Sequence, residues 1–467
     1  MKFFAVALFL VCVLALGGEV NRPAAEAELI ARQPRDVNIT ADVPFRIGGS
    51  VREFSFREDF FALSANEYNP DLSVLSLVLA MSAFNSSAVT EDDYSLAPQN
   101  AVNMLRRMGF DTFRTNEYFI KPTELDGIGV IAAMREIQSD GQLYTLLAVA
   151  VRGGGYGLEW GNNFYLGESG HHAGFHASAQ KVHAFISAYI EHFRPFLHDN
   201  IKLWVTGYSR GGAVANMLAG QLSISRNLAG FTLQPDNIFA YTFNAPRAAT
   251  NIRFPTLHNI HNVINPSDIV PHVAPAEWGF VRYGVDRYID SGDITVELTQ
   301  LAEINIFPPS LTLVSTQEPM SDHASRLIDG LADGGISREN YAAEIQPVIR
   351  AIISDPSMNE EIFEHLTTAA DKLISSLGLW NLPAVIRAYI NDGMSGIAIL
   401  FLDMLQENLA NTGVILPENT VLSELIAATQ LHLHIDTIFT LLNNTNAIAR
   451  AHDPVFMLDA LTAEAGR

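Results

Sequence analysis

Residues 201–219, Ile-Lys-Leu-Trp-Val-Thr-Gly-Tyr-Ser-Arg-Gly-Gly-Ala-Val-Ala-Asn-Met-Leu-Ala, constrain this chain more than any other stretch. The apolar run Ile201 to Val205 predicts a strand, which leads into Gly207-Tyr208-Ser209-Arg210-Gly211. Small residues from Gly212 to Leu222 predict a helix directly after it. Strand, sharp turn and helix in that order lift a serine out of a sheet and expose its hydroxyl. Glycines flank the serine because a Cβ at either place would clash in so tight a turn. The helix N-terminus just beyond Ser209 offers unpaired N–H groups and the positive end of a dipole, a setting that stabilises negative charge. Alone, the pentapeptide also suits a glycine-rich turn between a core strand and a core helix. The surroundings therefore decide the reading.

Those surroundings alternate between strand and helix patterns. Val51 to Phe61 alternates apolar and charged residues, as a short strand does. Asn69-Pro70-Asp71 caps an apolar helix from Leu72 to Phe84, and Ala97 to Met108 predicts a second, ended by Gly109. Gly127 to Ile137 predicts a strand that turns at Asp140-Gly141. The next strand, Leu143 to Val151, is unbroken apolar sequence, as expected where both faces of a strand are buried. A long helix then runs from His172-Ala173-Gly174-Phe175 to about Phe193, and Asn237 to Phe243 and Leu257 to Ile264 predict two further strands. The fold class is therefore α/β, with a mostly parallel central sheet covered by helices on both faces. Beyond about residue 330 the pattern becomes a series of helices broken at Pro347, Pro356, Pro383, Gly393 and Pro417, an all-helical C-terminal extension. The expected division is a leader at 1–18, an N-terminal arm at 19–54, the α/β domain at 55–330 and the helical region at 331–467.

With 467 residues, 48% of them hydrophobic, the chain is long enough to bury a large core without covalent staples. Met1 to Gly18 has a positive start at Lys2, an apolar run and small residues at its end, which reads as a secretory leader and predicts a secreted or periplasmic protein. The single cysteine, Cys12, lies inside that leader, so the rest of the chain has neither a disulfide nor a thiolate metal site. A net charge of −22 with no basic run makes nucleic acid and anionic lipid poor partners, but leaves neutral esters and zwitterionic lipid available.

Seven pieces, in order, resemble the class 3 lipase family of α/β-hydrolases, in particular its bacterial secreted branch. They are Ala150-Val151-Arg152-Gly153-Gly154, Glu159-Trp160-Gly161-Asn162-Asn163-Phe164, His172-Ala173-Gly174-Phe175, Thr206-Gly207-Tyr208-Ser209-Arg210-Gly211-Gly212, Thr242-Phe243-Asn244-Ala245-Pro246-Arg247, Val263-Ile264-Asn265-Pro266-Ser267-Asp268-Ile269-Val270-Pro271 and Met320-Ser321-Asp322-His323. The resemblance covers roughly residues 55–330 and implies a serine ester hydrolase acting on acylglycerols or phospholipids, with no cofactor and with transient contact at a lipid surface. Two positions depart from the family pattern. Gly154 stands where a Ser or Thr hydroxyl usually supports the oxyanion site, and Tyr208 stands where a His usually precedes the serine. The second departure is expected to be tolerated, since only the flanking glycines are sterically required.

Ester cleavage needs a nucleophile, a base, a carboxylate that orients the base, and donors for the oxyanion. Ser209 is the expected nucleophile, and the backbone N–H groups of Arg210 and Gly154 are the expected oxyanion donors. Asp268, held between Pro266 and Pro271, is the expected acid, with Asp286, Asp290 and Asp293 behind it. His323 is the expected base on chain order and motif, and His452, in Ala451-His452-Asp453-Pro454, is its rival. Tyr156, Leu158 and Trp160 give the loop from Gly155 to Phe164 an apolar face that suits a lid, though an ordinary packed loop fits equally. His258 and His261 have a metal-like spacing without a third ligand and are read as structural, so no metal is expected. Two other readings share these residues: a short-chain or cell-wall acyl esterase, and an inactive hydrolase fold used for binding.

Overall fold

The computed structural model describes residues 36–42, 51–83, 97–120, 123–124, 126–154, 159, 162–163, 165–250, 257–290, 337–340, 342–343 and 451–465. The first elements are strands β1 (Val37–Asp42) and β2 (Val51–Phe56), followed by helices α1 (Pro70–Ala83) and α2 (Ala97–Arg107). Strands β3 (Asp111–Thr115), β4 (Val130–Ser139) and β5 (Gln142–Val151) come next, then α3 (Ala173–Phe193), β6 (Ile201–Tyr208) and α4 (Arg210–Ser225). Two short hairpin strands, β7 (Asn227–Leu228) and β8 (Phe231–Thr232), precede β9 (Ile238–Phe243). Strands β10 (Ala249–Thr250), β11 (Ile260–Ile264), β12 (Phe280–Val281) and β13 (Val285–Tyr288) follow, and α5 (Pro454–Glu464) lies near the C-terminus.

The central sheet has seven strands in the order β13-β11-β9-β6-β5-β4-β3. The strands from β5 to β13 are parallel, and β3 and β4 extend the sheet antiparallel. This is the mostly parallel α/β-hydrolase sheet expected from the sequence. Asp140 and Gly141, both at positive φ, make the two-residue turn of the β4–β5 hairpin, where Ser139 pairs with Gln142. Along β5 the side chains alternate between two cores. Leu147, Val149 and Val151 face α3 and α4, whereas Leu146, Ala148 and Ala150 face α1, α2 and α5. That alternation explains the unbroken apolar run, because both faces of the strand are covered.

Helix α1 is buried from Leu72 to Ala83. Its first turn is capped by Asn69, whose Oδ1 accepts the Leu72 N–H at 3.0 Å. Two polar contacts tie it to the nucleophile strand: Trp204 Nε1 donates to Ser76 Oγ at 2.8 Å, and Thr206 Oγ1 donates to the Ser76 carbonyl at 2.9 Å. Part of the expected N-terminal arm is ordered sheet. Residues Val37–Asp42 pair antiparallel with Val51–Phe56, and Ile39 is buried in the α1 core.

Among the described residues, two parts of the C-terminal extension contact the α/β domain. Helix α5 begins with a capped turn, in which Asp453 accepts the Val455 N–H at 2.8 Å and Pro454 takes the first helical position. Its residues Val455, Met457, Leu458 and Leu461 are buried in the same cluster as α1. Further upstream, the Arg338 guanidinium donates to the carbonyls of Leu166, Gly167 and Gly170, and lies 4.3 Å from the centre of the Phe280 ring. Residues 451–465, assigned by sequence to a separate helical region, therefore belong to the core of the α/β domain. Among the described residues no helix is long and apolar enough to cross a membrane.

Candidate active site

Ser209 stands between the last residue of β6 and the first of α4, with φ 55° and ψ −127°. A non-glycine residue in that region is strained, and the surroundings must impose the conformation. They do so through close backbone packing. A Cβ on Gly207 would lie 2.4 Å from the Gly211 carbonyl oxygen, and one on Gly211 would lie 2.4 Å from the Val151 carbonyl oxygen. The two flanking glycines are thus required, as the sequence implies. The Ser209 N–H donates to the Phe243 carbonyl at 2.8 Å, which anchors the turn to the neighbouring strand.

The partner of Ser209 is His452. Its Nε2 lies 3.0 Å from Ser209 Oγ, and its Nδ1 lies 2.6 Å from Asp268 Oδ2. Asp268 is fully buried on the loop after β11, and its other oxygen accepts the Val270 N–H at 3.0 Å. Burial pushes the Asp268 carboxyl above the usual carboxylate range, while the charge and hydrogen bond of His452 pull it down. Pro271 lies in a 3-10 turn, and its carbonyl accepts from Arg282 at 2.6 Å.

The expectation that His323 completes this group needs correcting. His323 lies outside the described residues, and the place beside Ser209 and Asp268 is filled by His452. Chain order is satisfied by either histidine. The physical difference is that His452 directly precedes a capped apolar helix that docks on α1, next to the nucleophile strand. Asp453-Pro454 followed by an apolar run is the helix-start signal that could have identified it. Among the fallback acids, Asp286 has partners of its own. Asp286 pairs with Arg282 at 2.8 Å and accepts from Asn262, and Asp293 lies outside the described residues.

Arg210 opens α4, so its backbone N–H is one of the helix-start N–H groups. Gly154 follows the end of β5, and a Cβ placed on it would lie 3.6 Å from Arg210 Cδ. Gly154 therefore packs against the side chain of Arg210, the residue after Ser209. That spacing is ordinary van der Waals contact, so sterics do not exclude a larger residue at position 154. The Arg210 side chain runs inward and donates to the Gly127 carbonyl at 3.2 Å.

Of the loop read as a lid, Tyr156, Leu158 and Trp160 lie outside the described residues. Glu159 is buried and pairs with buried Arg152 at 2.5 Å. Asn162 is also buried, donating to the Gly174 carbonyl at 2.8 Å and to Ser178 Oγ at 3.1 Å. His261 has structural partners: Nε2 meets the Ala65 carbonyl at 3.0 Å, and Nδ1 accepts from Arg287 at 3.3 Å. Burial and the neighbouring Arg287 hold its pKa down at about 4. Among the described residues no cluster of three or more His, Cys, Asp or Glu could hold a metal ion.

Residues 149–278 match the family model for lipase (class 3). Over 139 residues the chain is 33% identical to a lipase of Rhizopus niveus, an alignment that takes in 27% of this chain and 32% of that one. It is 27% identical over 192 residues to a secreted mono- and diacylglycerol lipase of Fusarium solani, covering 38% of this chain and 53% of the relative. The chain thus spans about a third to a half of the length of these curated relatives. Among solved structures it aligns with a fungal lipase in an inhibitor complex at 22% identity and a TM-score of 0.36, covering 47% of this chain and 79% of that one. These relatives are fungal and lend no support to a bacterial branch.

Proposed function

We propose that this chain is a serine carboxylic-ester hydrolase of the lipase type, acting on acylglycerols or phospholipids through Ser209, His452 and Asp268. One observation carries the reading: a single imidazole lies 3.0 Å from a serine hydroxyl and 2.6 Å from a buried carboxylate. His452 Nε2 takes the Ser209 proton as Oγ attacks the acyl carbonyl. Asp268 keeps the other ring nitrogen protonated and stabilises the imidazolium that forms. The N–H groups of Arg210 and Gly154 receive the oxyanion, in a corner with the positive end of α4 behind it. The imidazolium then protonates the departing alkoxide, leaving an acyl-serine. Water, activated by the same imidazole, releases the acid and restores the serine.

The matched family and the names of the fungal relatives support a lipid ester as substrate. The acidic chain without a basic run is consistent with a neutral ester. The leader-like residues 1–18 support secretion. The loop from Gly155 to Phe164 is proposed as a lid with Glu159 as its fastened point. Activity that jumps at the micellar threshold supports a lid, and a smooth rise through the threshold rejects one.

The deciding experiment is hydrolysis of p-nitrophenyl esters of increasing chain length by the parent and by Ser209→Ala, His452→Ala and His323→Ala. Loss in the first two and retention in the third is the expected result. Loss with His323→Ala and retention with His452→Ala would overturn the assignment. A short-chain optimum would favour an esterase over a lipase. Absence of activity, together with absence of Ser209 labelling by a fluorophosphonate, would favour the binding-protein reading.

A further inference from the structure

Tyr208 is buried directly before Ser209, and its ring centre lies 5.3 Å from that of His452. Its hydroxyl donates to the backbone carbonyl of His452 at 3.0 Å and accepts from Asn244 Nδ2 at 3.0 Å. Asn244, at φ 44°, closes β9 and accepts the Asn265 N–H on its Oδ1 at 2.8 Å. Asn265 Nδ2 in turn donates to the Ala451 carbonyl at 2.8 Å. Two consecutive carbonyls of the histidine segment are therefore held, one by the residue before the nucleophile and one by the loop that carries the acid. Burial and the nearby Asp268 charge push the Tyr208 phenol well up, so the hydroxyl stays protonated and available as a donor.

His452 comes 243 residues after Ser209 and 184 after Asp268, so chain connectivity does not bring it to either of them. A hydrogen bond to a carbonyl holds backbone, and a held backbone leaves the imidazole only its two side-chain torsions to settle. We propose that Tyr208 is a positioning residue: with Asn265 it latches the Ala451–His452 backbone and so sets the imidazole between Ser209 and Asp268. The inference rests on the triad reading above, and it assigns a role to the residue at which this chain departs from the family's usual histidine. A displacement of about 1 Å at a reacting group can cost about 100-fold in rate. Loss of the latch belongs in or below that range.

The test is a double-mutant cycle on a soluble p-nitrophenyl ester, with kcat and KM measured for the parent, Tyr208→Phe, His452→Ala and the double variant. The expected result is a fall in kcat of about ten- to hundredfold in Tyr208→Phe, KM within about twofold, and no further loss when the same change is made in His452→Ala. An equal loss in both backgrounds would mean a general structural role and would overturn the proposal, as would parent-like kcat in Tyr208→Phe. Full activity in His452→Ala would remove the triad reading and the latch with it. A slow His452→Ala beside a parent-like Tyr208→Phe would remove the latch alone. Should Tyr208→Phe fail to fold, Asn265→Asp keeps the shape but replaces the donor to Ala451 by an acceptor, and the same cycle with His452→Ala applies.

Discussion

At the scale of single residues, the candidate site depends on atoms that have no room to move. Gly211 tolerates no side chain, because a Cβ there would meet the backbone of Val151 and Arg152 at 2.4–2.8 Å. Gly211→Ala is expected to lower stability by about 3 kcal/mol and to abolish Ser209 labelling, as checked by denaturant unfolding and fluorophosphonate reaction. Gly154 differs: the nearest atom to an added Cβ is 3.6 Å away. Gly154→Ser is therefore expected to fold as the parent does and to raise kcat about tenfold by supplying the hydroxyl that the proposed oxyanion site lacks. Steady-state kinetics beside thermal unfolding checks both halves of that expectation. Asp268 adds a pH dependence. Its pKa is raised by burial, so the folded state holds this proton more tightly than the unfolded chain does. Below the unfolded value of about 3.9 no penalty applies, and as pH rises through the elevated folded value the parent loses stability. Asp268→Asn should therefore gain in Tm relative to the parent as pH rises from about 4 to about 7, while kcat falls by about 10⁴-fold.

At the scale of elements, α5 is a structural part that also delivers chemistry. Its apolar residues close the α1 core, and its capped first turn fixes the segment bearing His452. Leu458→Ala should cost about 2–5 kcal/mol, measured by chemical unfolding, because a fully buried leucine leaves a cavity. Ending the chain at Arg450 should reduce both stability and ester hydrolysis far more than Leu458→Ala does, since it removes helix and imidazole together. Helix α1 shows why the elements around the site were readable: Asn69-Pro70-Asp71 is a local start signal, and the cap forms as written. Strand β1 shows the opposite. Its sequence is short and polar on its exposed side, and pairing with β2 makes it a strand.

Across the whole molecule, buried neutral histidines set the acid limit. Burial holds the pKa of His172 at about 3, and holds His261 and His272 at about 4 with help from neighbouring arginines. Each folded value lies below the ordinary 6.5, so the unfolded chain binds more protons between those limits. The stability that these three histidines contribute is full above about pH 6.5 and falls as pH drops towards about 4, with up to three protons taken up by them on unfolding. Unfolding free energy measured across that range should show this slope, and His261→Gln should flatten it by about one proton. The extension also takes on a different meaning at this scale. Among the described residues, Arg338 and α5 fasten it to the α/β domain.

The strand–turn–helix around Ser209, the hairpin at Asp140-Gly141, the doubly buried β5 and the acid loop between two prolines are all determined by sequence alone, because each is a matter of local backbone geometry and side-chain period. The choice between His323 and His452 is of another kind. It depends on α5 docking on α1 and on two carbonyls meeting Tyr208 and Asn265, contacts between residues 186 to 244 positions apart in the chain. Only the tertiary structure decides such contacts, because their free energy comes from surfaces that exist after the sheet and α1 have formed. Tyr208 belongs to both classes. Its place in the turn is legible in the sequence, and its hold on the histidine segment appears only when the fold brings that segment to it.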